Sequence, residues 1–335
     1  MIPHNRPSLS KQEAKAAFNI IKSNMLVRGK QIEKFENEFC DYMGLPHGHA
    51  VAVSSGTSAL YLSSWVLGLK NKTIAIPAYS CTALKNAVKM NNCKIEYLDN
   101  EIDSPNLDIE ELNGLKTDAC IVPHMFGIPI DMDRIKNDII IEDCCQSLGA
   151  MYNNQKVGLN GIVGVFSFYA TKLITSAGHG GMVISKDAQI IKEIKDYINF
   201  DMKNDNIDRF NFQLTEMQAA VGRVQLKKLN NFLSRREDIF NIYQENGFNL
   251  EKSKLPNSKQ VFYRAVLKAN NSGALMSLLL RNKIKSIIPV TVDELLDRKK
   301  NCIDYCNNTI SIPVYPTLKN TEVNKIVNII KQKIN

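Results

Sequence analysis

The sequence contains no long hydrophobic run. Apolar stretches such as residues 139–141 are far shorter than the roughly 20 apolar residues that a membrane-spanning helix needs. Residues 1–10 are polar and lack the apolar centre of a secretory signal. These absences argue against a membrane protein and against a secreted one, and we expect a cytoplasmic protein.

The eight cysteines lack the spacing of a metal site or of a disulfide framework. The sequence has no Cys-x-x-Cys pair and no histidine at zinc-finger spacing, so it indicates neither a zinc site nor disulfide bonds. We therefore expect reduced thiols and no metal. Cys144 and Cys145 are adjacent in an apolar stretch, where small thiols are expected to be buried.

Two further function classes lack their sequence signals. Lys and Arg number 42 against 34 Asp and Glu, but the surplus of +8 is scattered and forms no basic stripe, which argues against nucleic acid as a partner. No Gly-x-Gly-x-x-Gly turn follows the first strand, which argues against a nicotinamide dehydrogenase. A modest positive field still suits a small molecule that carries phosphate.

What is present indicates a large α/β protein. With 335 residues, 44% hydrophobic and 23% charged, the chain is expected to be globular, with about two domains. A capping box at Ser10–Glu13 predicts an initial helix. Short β-rich runs then alternate with helical stretches, which predicts a mostly parallel sheet with helices on both faces. The predicted strands are 50–53, 73–76, 94–98, 119–122, 139–142, 165–168 and 181–184, with helices from 57, from 82 and near 132.

Three regions are expected along the chain. Residues 1–213 form a large cofactor-binding domain, and one long helix over 214–246 links it to the rest. Residues 247–335 form a small α+β domain. Its predicted elements are strands at 260–267 and 284–288, a helix at 275–280 and a final helix from 322.

Three strand ends carry polar groups that suit one cofactor. The strand at 50–53 leads into small residues at 55–57 and a helix, whose free amides suit a phosphate, although an ordinary N-cap has the same sequence. Asp143 ends a second strand, and Lys172 follows a third that carries Ser167. A lone lysine is most often a solvated surface group. Together, an amide cradle, a carboxylate and an amine are the groups that hold pyridoxal phosphate.

Four motifs in order resemble one family over nearly the whole chain. They are GKQIEKFE at 29–36, SGTSAL at 55–60, PHMFGIPIDM at 123–132 and IPVYPTL at 312–318. They resemble the DegT/StrS family of sugar aminotransferases, which are pyridoxal-phosphate enzymes of aspartate-aminotransferase fold (fold type I). That resemblance implies a large domain with a mostly parallel mixed sheet between helices, plus a small C-terminal α+β domain.

The resemblance also implies a role for individual residues. Lys172 would form the internal aldimine with pyridoxal 5'-phosphate, and Asp143 would lie against the ring nitrogen. Burial beside a positively charged ring is expected to lower the pKa of the Lys172 amine, so that it can move a proton. The remaining implied cofactor contacts are Gln146 at the ring oxygen, Gly56, Thr57 and Ser167 at the phosphate, Cys81 at the ring face, and Asn211 at the phosphate of the neighbouring subunit. A homodimer with shared active sites is therefore expected.

The chain departs from the family pattern near the expected substrate. Cys81 stands where the family more often has an aromatic side chain, Ile162 replaces an Asp, and Gln213 replaces an Arg. The run at 176–181 is one residue longer than the family's, and 288–290 lacks the family's Tyr-x-Pro-x-His segment. These differences leave the reaction class unchanged and the acceptor open.

The leading hypothesis is an aminotransferase that moves an amino group from an amino acid, L-glutamate by resemblance, to a nucleotide-linked keto sugar in surface polysaccharide or glycoconjugate synthesis. A smaller keto substrate is the nearest alternative, because the C-terminal unit is short. A catalytically silent regulator is disfavoured because Lys172 and Asp143 are both present. Lys172 also argues against the family's dehydratase branch, which has His at that position.

Overall fold

Helices and strands alternate along the first 200 residues, as the sequence predicts. The structure, a computed structural model, describes residues 1–27, 29–269 and 271–334. In these ranges the helices are α1 (Lys11–Ser23), α2 (Lys30–Met43), α3 (Gly56–Val66), α4 (Thr82–Met90), α5 (Ile109–Gly114), α6 (Ala188–Ile198), α7 (Glu216–Glu245), α8 (Ser272–Arg281), α9 (Lys300–Asn307) and α10 (Asn320–Ile334). The strands in the same ranges are β1 (Ala50–Val53), β2 (Thr73–Pro77), β3 (Lys94–Leu98), β4 (Ala119–Pro123), β5 (Ile140–Asp143), β6 (Met151–Tyr152), β7 (Gln155–Lys156), β8 (Val163–Ser167), β9 (Gly181–Ile184), β10 (Ser258–Lys259), β11 (Ala265–Lys268) and β12 (Thr309–Ile312).

Seven of these strands form the main sheet, in the order β1-β9-β8-β5-β4-β2-β3. Strands β2, β3, β4, β5 and β8 pair in parallel, while β9 runs antiparallel to both β8 and β1. The carboxyl ends of the parallel strands and of β1 therefore meet at one edge of the sheet, together with the beginning of β9. The register places Asp143, at the end of β5, opposite Val165 of β8 and Pro123 of β4.

The long helix α7 joins two hydrophobic cores. The Thr215 side chain caps its first turn by accepting a hydrogen bond from Gln218 N, which confirms the predicted start near Thr215. Its first half packs with the sheet core through Leu226 and Leu229. Its second half packs in a separate core with the C-terminal elements, through residues that include Phe240. The helix thus fixes the C-terminal part against the sheet.

Several sequence predictions for the C-terminal part are wrong. Residues 260–264 are not a strand, because only 258–259 and 265–268 find strand partners. Residues 284–288 do not form a strand, because only Ile284 and Ile287 find partners, in isolated bridges to Ile2 and Ser311. The apolar pattern favoured strands at both places, but a strand needs a neighbour with free backbone groups.

Other differences concern helices. The helix predicted near residue 132 is a single turn of 3₁₀ helix at Met132–Arg134. The predicted helices also omit α2, α5, α6 and α9. In α9 the apolar residues are few and close to the following strand β12. Across the described residues, no helix combines the length and the apolar composition that a membrane span requires.

Candidate active site

A cavity of about 330 Å³ lies at the edge of the main sheet where the parallel strands end. This volume falls within the roughly 300–1,000 Å³ that is typical of small-molecule sites. Of the eight site residues predicted from the sequence, seven line it, and Asn211 does not. The seven are Gly56, Thr57, Cys81, Asp143, Gln146, Ser167 and Lys172.

The first turn of α3 forms one wall of the cavity. Ser55 and Ser58 make a reciprocal capping box, in which Ser58 N donates to Ser55 Oγ (3.0 Å) and Ser55 N donates to Ser58 Oγ (2.9 Å). Gly56 and Thr57 follow, and the first N–H groups of a helix have no acceptor within the helix. The Ser55 side chain therefore caps the helix, and the amides of Gly56 and Thr57 are placed to bind an anion.

Close packing explains the glycine at position 56. A Cβ atom there would lie 2.9 Å from Ser167 Cβ and 3.1 Å from Cys145 Sγ. Both distances are shorter than ordinary van der Waals contacts, so only glycine allows α3 to approach β8 this closely. The approach brings the helix amides and the Ser167 hydroxyl to the same end of the cavity.

Asp143 and Gln146 lie in the turn that follows β5. Asp143 is nearly buried, and its Oδ1 accepts a hydrogen bond from Cys145 N at 2.9 Å. Gln146 Oε1 accepts from Phe126 N at 3.0 Å. The Gln146 amide nitrogen donates one hydrogen to Met125 Sδ at 3.9 Å, which leaves its second N–H to donate to a ligand.

Lys172 reaches the cavity from the turn after β8. Its backbone N donates to Tyr169 O at 2.9 Å, and its Nζ lies 5.3 Å from the centre of the Tyr263 ring. Burial acts to lower the pKa of the Lys172 amine, as expected from the sequence, but attraction to Tyr263, Cys145 and Asp143 outweighs burial. In the protein alone the pKa is therefore raised, opposite to the direction expected beside a cationic ring.

The cavity thus joins a helix amide cradle, a carboxylate and an amine, each supplied by a different strand end. Residues 7–331 match the model of the DegT/DnrJ/EryC1/StrS aminotransferase family. The chain belongs to this family. It is therefore an aminotransferase, as the sequence motifs imply.

Named relatives and a solved structure agree with this assignment. The chain is 30% identical over 262 residues to the GDP-perosamine synthase of Escherichia coli O157:H7. This alignment covers 73% of this chain and 71% of that protein. It is also 30% identical over 264 residues to the UDP-4-amino-4,6-dideoxy-N-acetyl-beta-L-altrosamine transaminase of Campylobacter jejuni. That alignment covers 73% of this chain and 69% of the transaminase. The putative sugar aminotransferase Spr1654 of Streptococcus pneumoniae, in its PLP-form, superposes with a TM-score of 0.90 at 20% identity, covering 99% and 98%. The predicted fold class is thereby confirmed.

Other residues of this aminotransferase site had no role assigned from the sequence. Cys145, expected to be buried, is half-buried and lines the cavity, whereas Cys144 is buried as expected. Tyr169 and His179 also line it, with their ring centres 5.2 Å apart. His179 lies in the glycine-rich run that departs from the family pattern, and that departure was the signal for it. No local signal marks Tyr263, because it lies within the residues that were predicted as a strand.

A buried pair, His124 and Glu142, supports the strand ends of the aminotransferase, and His124 also lines the cavity. Glu142 accepts hydrogen bonds from His124 Nε2 (3.0 Å) and from three backbone amides in the turn before β8. Burial alone would raise the pKa of Glu142, but these hydrogen bonds lower it. His124 Nδ1 accepts from Ile130 N, so the ring proton is on Nε2. Although Cys144 lies close enough to complete a group of metal-ligand types, hydrogen bonds already occupy the imidazole and the carboxylate.

Asn211 lies outside the cavity. It is exposed, and its side-chain oxygen accepts a hydrogen bond from Gln213 N at 3.2 Å. The resemblance places this residue in the site of the neighbouring subunit, and that placement stays a prediction.

Proposed function

We propose that this aminotransferase binds pyridoxal 5'-phosphate in the cavity and joins it covalently to Lys172. The observation that carries the proposal is the convergence of the Gly56 turn, the Asp143 carboxylate and the Lys172 amine on one cavity. The space that a Cβ at position 56 would fill is consistent with close approach of the helix amides to a phosphate. The donor set therefore fits this cofactor.

Each residue has a chemical task in this proposal. When bound, pyridoxal phosphate supplies an aldehyde that amines attack and a ring that accepts electrons. Asp143 holds the ring nitrogen protonated, and its hydrogen bond from Cys145 N fixes the carboxylate orientation. The phosphate contacts are the Gly56 and Thr57 amides with the Ser167 hydroxyl. Gln146 donates to the ring oxygen, and Cys81 packs on the ring face.

Lys172 also moves the proton in this proposal. Its amine takes the proton from the substrate Cα and later returns it, a task that a positioned general base accelerates by roughly 10²–10⁴-fold. The amine must be neutral to accept that proton. Because the pKa of Lys172 is raised in the protein alone, the positive ring is needed to bring the amine to its neutral form.

The proposed substrates are L-glutamate as amino donor and a nucleotide-linked keto sugar as acceptor, in surface polysaccharide or glycoconjugate synthesis. The names of the Escherichia coli and Campylobacter relatives, which carry GDP and UDP, support a nucleotide-linked acceptor. The net charge of +8 favours an anionic substrate of this kind.

We further propose a homodimer in which Asn211 completes the partner's phosphate site. Exposed aromatic side chains support an interface near the cavity: Phe210, beside Asn211, is 48% exposed, and Tyr169 at the cavity is 46% exposed. Large exposed rings of this kind are enriched at protein interfaces. The division into 1–213, 214–246 and 247–335 and the cytoplasmic location remain predictions.

The test begins with the purified full-length chain and pyridoxal phosphate. Borohydride reduction and peptide mapping should place the pyridoxyl label on Lys172, and the matched variant Lys172→Ala should take no label at the site. Exposed Lys186 provides the control variant, Lys186→Ala. A label that stays on another lysine would exclude the proposed attachment.

A second measurement tests the substrates. With L-glutamate, the enzyme should release 2-oxoglutarate once per site and convert the cofactor to its amine form. Once the released 2-oxoglutarate, which reverses this step, has been removed, the amine form should react with members of a panel of nucleotide-linked keto sugars and not with other small keto acids. Turnover of the small keto acids alone would favour the alternative of a smaller acceptor.

A further inference from the structure

The Lys172 ammonium group faces an aromatic ring and not an acid. Within the described ranges, Lys172 Nζ forms no ion pair and no hydrogen bond with another side chain. Instead it lies 5.3 Å from the centre of the Tyr263 ring, within the roughly 6 Å of a cation–π contact. Tyr263 is buried, with 6% of its surface exposed. Desolvation strengthens this type of contact.

The backbone around Tyr263 is held from two other parts of the chain. Val261 N donates to Gly127 O at 3.1 Å, and a Cβ at Gly127 would lie 2.0 Å from Val261 O. Arg236, on α7, donates from Nη1 to Tyr263 O at 3.2 Å. These contacts fix the backbone of Tyr263 and so hold its ring beside the amine.

Several charged groups surround the Tyr263 ring. The Arg264 guanidinium lies 5.2 Å from the ring centre, so two cations share the Tyr263 ring. Burial raises the pKa of Tyr263, but the positive charges of Lys172, Arg264 and Arg236 lower it by more. Cys145, Asp143 and Cys81 also raise the pKa of Lys172.

We propose that Tyr263 is a positioning residue for Lys172, whose ring face holds the free amine in the cavity and stabilises its protonated form. The inference rests on the proposed role of Lys172 in proton transfer. When Lys172 accepts the proton of a substrate Cα, a positive charge forms at Nζ against the Tyr263 ring. The ring thus favours proton acceptance and keeps the ammonium group near the carbon to which the proton returns.

Competitive acetylation of the full-length protein without cofactor, in which the Lys172 amine is free, tests the proposal. Trace acetic anhydride reacts with neutral amines, so the pH dependence of Lys172 acetylation, read by peptide mass spectrometry, reports the midpoint of its titration. Tyr263→Leu should lower this midpoint by about one pH unit, the shift that a desolvated cation–π contact supports. Tyr263→Phe keeps the ring and should stay near the wild-type midpoint. The control is Phe262→Leu, since the Phe262 ring packs on Phe240 (4.2 Å between centres).

A further variant serves if Tyr263→Leu does not fold. Placing 3,4,5-trifluorophenylalanine at position 263 keeps the ring's shape but weakens its negative face, and should lower the midpoint relative to Tyr263→Phe. Equal midpoints for these two ring variants, or an equal shift in Phe262→Leu, would overturn the proposal. Acetylation does not require transamination, so a failure of this inference and a failure of the proposed function are separable.

Discussion

Gly56 and Ser167 lie so close together that a Cβ on the glycine would be 2.9 Å from Ser167 Cβ. This contact joins the first turn of α3 to the end of β8, although 110 residues separate the two in sequence. The contact brings together the α3 amides and the Ser167 hydroxyl, the two groups proposed to bind phosphate. Cofactor binding should therefore be sensitive to substitution at position 56.

Gly56→Ala should weaken cofactor binding. The added methyl group must displace Ser167 or α3, and overpacking of this kind costs about 1–3 kcal/mol, which corresponds to roughly 5–150-fold in affinity if it falls on the bound state. Absorbance titration with pyridoxal phosphate measures the change. Gly114→Ala is the control, because a Cβ there meets no atom within 4 Å. Unchanged affinity in Gly56→Ala would show that α3 does not form the phosphate cradle.

Asp143→Asn should retain the fold and lose activity. The amide keeps an oxygen that can accept the hydrogen bond from Cys145 N, so the turn after β5 should be preserved. The negative charge proposed to hold the ring nitrogen protonated is lost, and transamination should fall on the order of 10²-fold or more. Melting temperature and activity are measured on one preparation. If stability falls while activity per folded molecule survives, Asp143 only caps the turn.

Two inactive chains should complement each other if the sites are shared. In a heterodimer of Lys172→Ala with Asn211→Ala, one site carries both substitutions and the other carries neither. Part of the activity should therefore return when the two chains are mixed and allowed to exchange. Heterodimers that form but remain inactive, when each parent is also inactive, would contradict sharing through Asn211. So would a fully active monomer.

Because of Glu13, the stability of the folded protein should fall as the pH drops below the ordinary pKa of a glutamate. Burial acts to raise the pKa of this carboxyl, but hydrogen bonds from Lys228, Ser10 and Gln225 lower it from 4.5 to about 2. A carboxyl with a depressed pKa in the folded state stabilises the protein above pH 4.5 and loses that effect as the pH falls toward 2.

The measurement is the melting temperature of wild type and Glu13→Gln across this pH range. The difference between the two should be largest near neutral pH and should shrink as the pH approaches 2. The exposed glutamate variant Glu33→Gln is the control and should follow the wild type. A difference that stays constant with pH would mean that Glu13 acts through packing alone.

Much of the candidate site could be predicted because its residues stand at strand ends. Gly56 and Asp143 follow β-rich runs, and Lys172 precedes a glycine-rich turn, so a local pattern placed each at the ligand edge of the sheet. The C-terminal part was harder to predict. Residues 260–264 include the β-branched and aromatic residues that are common in strands, but Val261 donates to Gly127 instead of to a neighbouring strand.

The sequence by itself determined the alternation of helices and strands, the caps at Ser10 and Thr215, and the polar residues at the strand ends, because each depends on residues near one another in the chain. Only the tertiary structure decided that Tyr263 faces Lys172, 91 positions earlier. That contact requires α7 to bring the C-terminal part back to the sheet edge. The contact forms only if suitable backbone groups and surfaces remain free after the sheet has formed. No local sequence pattern indicates which groups those are.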